Sequence, residues 1–263
     1  MIIVLNVLRF LPLLSLLFLL ACQHGKGIKS EETVHAQQKH NEAAVYNTQL
    51  GMAYLKQGDM PRAKRKLLAA LDLAPNSADA NVAMAYYLEK TGDIKEARTY
   101  YQKALSLAPN SGTQLNNYGT FLCRLGHYAD AERYFLKAAK DVHYIYTAAA
   151  YENAGLCAAA IPNYSKAKNY FAKALEQDPK RKQSLYELVA IELKQKHANT
   201  ALSHLQKYSD LSYNDPTLLE MAIKSARQAG KVRLAANYQK HLADITNFTD
   251  YTGARNEYNS SNG

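Results

Sequence analysis

A period of about 34 residues runs through this chain and limits what it can fold into. Residues 50–76, LGMAYLKQGDMPRAKRKLLAALDLAPN, align with 84–110, MAYYLEKTGDIKEARTYYQKALSLAPN. At that offset Gly58 falls on Gly92, Ala63 on Ala97, Ala70 on Ala104 and Pro75 on Pro109. One more step reaches Gly126, Ala131 and Ala138; after two extra residues the pattern resumes at Gly155, Ala167, Phe171, Ala174 and Pro179. Two weaker copies carry Ala201 and then Gly230 with Ala235. Six copies thus begin near 44, 78, 112, 148, 182 and 216. With only 12 Gly and 7 Pro in 263 residues, and abundant Ala, Leu, Lys and Gln, the chain favours helix. A unit this short cannot bury an apolar face alone, so neighbouring copies must stack.

The pattern resembles the tetratricopeptide repeat, a helical hairpin of the same period. The resemblance implies an all-α fold, a right-handed superhelix of about six hairpins over residues 44–246. Each recurring residue type then has a physical task. The alanines of the second helix (Ala63, Ala97, Ala131, Ala167, Ala201, Ala235) let the partner helix approach closely. Gly51, Gly119 and Gly155 sit where the first helix meets its neighbour, and Leu67, Tyr101, Phe135, Phe171 and Leu205 fill the space between helices. Gly58-Asp59 and Gly92-Asp93 make the turn within a hairpin. Pro75, Pro109 and Pro179 stop the second helix. Pro162 takes the turn position in copy four, and the last two copies diverge, as caps do.

In such hairpins the first helix lines the concave surface, at positions 2, 5, 9 and 12 of each copy. Copies one and two place Val45, Met52, Leu55, Val82 and Tyr86 there, an apolar strip that marks a partner-binding groove. A helix or an extended peptide is the expected guest. The competing reading has residues 30–43, or an extra helix, covering the strip. Further along, Lys194, Lys224 and Arg227 make the groove basic, which is most simply a solvated face.

The amino terminus carries a second signal. Residues 10–21 are apolar apart from Ser15, too few to span a bilayer and suited to a secretory signal peptide. Leu19-Leu20-Ala21-Cys22 resembles a bacterial lipoprotein box. That implies cleavage after residue 21, diacylglycerol on the Cys22 sulfur and an acylated new amino terminus, enough acyl chains for stable anchoring. Gln23 in place of Asp implies export to the outer membrane, with the body facing the periplasm. Residues 22–43 read as the lipidated end and a polar tether whose second half could be helical, and 247–263 as a polar tail. Cys123 and Cys157, one repeat period apart on first helices of neighbouring copies, are either disulfide-bonded or two buried thiols; an oxidising compartment permits the bond.

The net charge of +9 is spread along the chain, and export argues against nucleic acid as a partner. The sequence has no His-Glu-x-x-His, no phosphate loop, no dinucleotide turn and no nucleophile with a visible base partner. It therefore predicts no enzyme, no cofactor and no metal. A closer resemblance lies in copies three and four. Asn116-Asn117-Tyr118-Gly119, Phe121-Leu122-Cys123 and Tyr151-Glu152-Asn153-Ala154-Gly155-Leu156-Cys157 are similar to the type IV pilus biogenesis and stability lipoproteins of the PilF/PilW family. That resemblance implies a pilotin, which helps the pilus secretin multimerise and reach the outer membrane, or which stabilises the fibre. Its partner would be a secretin subunit or another pilus assembly protein. A repeat lipoprotein of another envelope machine and a general periplasmic peptide-binding chaperone are the alternatives.

Overall fold

The computed structural model describes the backbone of residues 31–260 and the side chains of residues 35–246. Cys22 and the segment read as a signal peptide lie outside those residues. Thirteen helices fill the described chain, with no strand among them. They are α1 (Glu31–Lys56), α2 (Met60–Leu73), α3 (Ala78–Thr91), α4 (Ile94–Leu107), α5 (Gly112–Arg124), α6 (Tyr128–Ala138) and α7 (Thr147–Ala160). The remainder are α8 (Tyr164–Gln177), α9 (Lys182–Lys194), α10 (Ala198–Lys207), the single turn α11 (Ser209–Ser212), α12 (Pro216–Gln228) and α13 (Val232–Ser260). Six antiparallel hairpins result: α1–α2, α3–α4, α5–α6, α7–α8, α9–α10 and α12–α13. Each first helix also touches the first helix of the next hairpin, so these helices run side by side in parallel.

Local chemistry sets the boundaries. Asp59, Ser77, Asn163 and Asp215 each cap a helix, accepting a backbone N–H three residues on. Four hairpin turns place a glycine at positive φ, as at Gly58 (79°) and Gly92 (91°); only glycine adopts that conformation without steric cost. Copies four and five depart from this, with Pro162 at φ 23° and Lys196 at φ 62°. Pro162 is far from the φ near −65° that its ring prefers.

The core follows the repeat. Ala63, Ala97, Ala131, Ala167 and Ala201 are all fully buried, and Ala235 nearly so. Opposite them, a Cβ on Gly51 would stand 2.7 Å from the Leu67 side chain, and one on Gly155 would stand 2.6 Å from Phe171. In these copies the two helices approach so closely that a Cβ at either glycine would force Leu67 or Phe171 to move. Between hairpins, polar links span one copy length. Glu132 accepts from Lys166 and Tyr170, Glu152 from Arg181 and Ser184, and Lys182 pairs with Asp215.

Two features extend past the repeat. α1 starts thirteen residues before the first copy and runs unbroken into it, and its outer residues, His35–Glu42, are exposed. At the other end α13 continues through Ser260, into the stretch read from sequence as a polar tail.

Candidate partner groove

The first helices of copies one to three line one face, and a hollow of about 370 Å³ opens between them. Met52 of α1 and Val82 and Tyr86 of α3 form its apolar side. Asn117, Thr120 and Arg124 of α5 form the polar side, and Tyr101 of α4 lies beneath. Three residues of the predicted strip are thus brought together.

The other two are not. Leu55 is only 6% exposed and belongs to the buried cluster that includes Ala63, Leu67 and Leu88. It holds the first two hairpins together and cannot meet a guest, which corrects its assignment to the groove. Val45 is exposed, but it lines a different hollow of about 550 Å³. That space lies between the α1 extension, at Gln37 and Asn41, and the α2–α3 loop, at Pro75 and Asn76. Residues 31–43 do not fold back over the strip, because they continue the α1 axis outward.

The polar wall is built on one ion pair. Arg124 donates through both Nε and Nη2 to the Glu89 carboxylate, with Nη2 2.7 Å from Oε2. The Tyr101 hydroxyl donates to the same Oε2 at 3.1 Å. Burial, reinforced by the Glu89 charge, drives the Tyr101 pKa up, so the phenol stays protonated and keeps donating. Burial opposes the Arg124 cation, but its hydrogen bond and charge interaction with Glu89 outweigh this and raise its pKa. The Arg124 guanidinium and the Lys90 ammonium lie 5.9 Å and 5.3 Å from the centre of the Tyr86 ring. Two cations thus lie within cation–π reach of the Tyr86 ring.

Tyr101, Asn117 and Arg124 lie outside the predicted strip, Tyr101 being assigned to the space between helices. A signal for Arg124 exists: Lys56, Lys90 and Arg124 recur at the repeat offset and are all basic. Each lies one position past the last groove position of its copy. Elsewhere along the face the polar groups are already engaged. Asn153 donates to Asn116 at 3.0 Å, Glu152 is held by Arg181 and Ser184, and Glu192 by Lys168 and His197. In the basic carboxyl-terminal part, Lys194 bonds the Tyr164 hydroxyl and Arg227 bonds Gln239.

Cys123 and Cys157 meet across the α5–α7 seam, with Cα atoms 5.9 Å apart and the sulfurs bonded at 2.20 Å. Among the described residues no three His, Cys, Asp or Glu side chains cluster to hold a metal, and no helix is long and apolar enough to cross a membrane.

A tetratricopeptide repeat model matches residues 48–112 and 122–182. No curated protein matches the sequence. Among solved structures, PilF of Pseudomonas aeruginosa is 27% identical with a TM-score of 0.64, covering 81% of this chain and 99% of PilF. PilW, described as a widely conserved type IV pilus biogenesis factor, is also 27% identical, with a TM-score of 0.62, covering 79% of this chain and 96% of PilW. MamA, at 18% identity and a TM-score of 0.52, shares the fold alone. By its repeat register, its stacked hairpins and these matches, the chain has the tetratricopeptide-repeat fold and is similar to type IV pilus biogenesis factors that share it.

Proposed function

We propose that this protein is an outer-membrane lipoprotein of type IV pilus biogenesis that captures a secretin subunit in the groove of copies one to three. The carrying observation is the hollow between Met52, Val82, Tyr86 and Arg124, an apolar wall facing the Arg124–Glu89 ion pair. Such a site suits a polypeptide segment offering one aliphatic or aromatic side chain beside a polar group. The similarity to PilF and PilW across nearly their whole length supports a pilus assembly protein as the guest. Lipidation of Cys22 would give the pair its route. The acyl chains enter the lipoprotein sorting path, and the bound secretin subunit travels with them.

Two variants test this. Met52→Glu with Val82→Glu places two carboxylates on the apolar wall, at one exposed and one half-buried site. Pull-down of the purified secretin should fall at least tenfold, the effect of roughly 1.4 kcal/mol, while circular dichroism and thermal midpoint stay unchanged. Undiminished capture by the folded variant overturns the groove. Cys22→Ala should leave folded protein but misplace the secretin multimers. Multimers that still form in the outer membrane would remove the carrier role and favour fibre stabilisation.

A further inference from the structure

Among the inter-hairpin connections, the one between α6 and α7 exposes the most apolar surface; the α10–α12 connection, 208–215, is as long but carries α11 and exposes only Tyr213 among its large apolar side chains. The α2–α3 and α4–α5 loops share the four residues Ala-Pro-Asn-Ser, and the α8–α9 loop is Asp-Pro-Lys-Arg. The α6–α7 loop spans eight residues, Ala139–Tyr146, and holds apolar side chains out in water. Val142 is 91% exposed, Ile145 84% and Tyr146 59%. The loop is firmly built. Asp141 accepts from the backbone N–H of Gly112 at 2.7 Å and of His143 at 3.0 Å, which holds its carboxyl below the usual range. Tyr144 is buried against Gly112, where any Cβ would strike its ring, and burial pushes its phenol up to about 12. Asp141 and Tyr144 thus pin the base, and the apolar tip stands out.

Its position matters as much as its composition. Inter-hairpin loops gather at the edge where first helices begin. The exposed extension of α1 leaves the body at that same edge, past the α2–α3 loop, and projects about 20 Å. The chain between Cys22 and Glu31 adds at most about 30 Å when extended. An anchor at Cys22 therefore attaches on the same side of the body as this edge and lets the edge reach the bilayer. The tip's surroundings are basic: Lys137, Lys140 and Lys180 are exposed, and none has a carboxylate partner among the described residues. The neighbouring acids, Asp141 and Asp178, face backbone N–H groups instead, and Arg181 is tied to Glu152.

We propose that the α6–α7 loop dips Val142, Ile145 and Tyr146 into the surface of an anionic phospholipid bilayer, a second contact beside the anchor. The reading rests on lipidation of Cys22. A protein guest is the weaker alternative. Three side chains on a convex tip supply far less than the roughly 800 Å² per partner that a stable interface buries. A bilayer needs no complementary pocket. Aliphatic groups enter its interface, a tyrosine sits at headgroup level, and lysines meet the lipid phosphates.

The chain contains no tryptophan, so a single introduced one reports without background. Ile145→Trp, purified as the lipidated full protein, would be reconstituted into phosphatidylcholine vesicles with and without phosphatidylglycerol. Val232→Trp, at a hairpin turn on the opposite edge, serves as control. The expected result for Ile145→Trp is a blue shift and loss of emission to bromine-labelled acyl chains, strongest with phosphatidylglycerol. The Val232→Trp control should stay unshifted, and adding Val142→Asp should return the loop indole to its aqueous emission. Vesicle-bound protein whose loop indole emits as in buffer overturns the loop contact and leaves the anchor standing. Equal shifts at both positions also overturn it. Protein that stays off the vesicles overturns the anchor and this contact together, and leaves the groove untouched.

Discussion

Copies one to three and copies five and six share a skeleton and differ in what they display. In both halves an alanine of the second helix is buried at one register, from Ala63 to Ala235. On the inner face the halves part. The amino-terminal copies leave an open hollow with Met52 and Tyr86 on one side and a fixed Arg124 on the other. Both halves pair their charges, Arg124 with Glu89 and Glu192 with His197 and with Lys168 of copy four, but Glu192 is buried, whereas the Arg124 pair stands beside an open hollow. Repeat stacking thus fixes close-packed positions tightly and leaves groove positions free to vary. Recognition resides in that second set.

The strongest way to break the comparison is at its seam. The Cys123–Cys157 bond closes a loop spanning a sequence separation of 34 residues. On the chain-entropy account such a loop is worth about 3.5 to 4 kcal/mol. Reduction, or Cys123→Ser with Cys157→Ser, should lower unfolding free energy by that order in denaturant titrations, and an unchanged midpoint would deny the bond a stabilising part. Next in size is a test of the shared skeleton. Ala97→Leu forces a side chain into a fully buried interior site and should cost about 1–3 kcal/mol. Ala235→Leu, in the last hairpin among the described residues, should cost less in the same melt. Equal losses would mean that the end copy is as tightly packed as the interior. The smallest effect belongs to Lys224→Glu. This exposed residue of α12 lies in the basic part read as a solvated face. Secretin capture should be unchanged, and a clear fall would extend the binding face into the last copy.

The fold was legible because its most constrained positions repeat. An alanine recurring once per copy reports helix contact directly, and Gly51, Gly119 and Gly155 report the facing surface. The groove was legible in part. Met52, Val82 and Tyr86 followed from their places in the copy, whereas Leu55, at an equivalent register, turned out to be core. An apolar side chain at a half-buried position goes wherever burial is greatest, and pattern alone does not say which side that is. Arg124 was missed because its role comes from Glu89, a contact made only once two copies have stacked. The extra residues between copies three and four were visible as a spacing anomaly. Their exposure depends on Asp141 and Tyr144 pinning the loop base, which no periodicity reveals.

The unbroken run of α1 has a mechanical corollary. A helix of 26 residues is a rod about 39 Å long, and its far half is the first wall of the groove. Tension applied ahead of Glu31 meets no slack within that rod. It reaches Met52 as torque on the first hairpin, so a load on the amino terminus and the grip on a guest would be felt by the same lever.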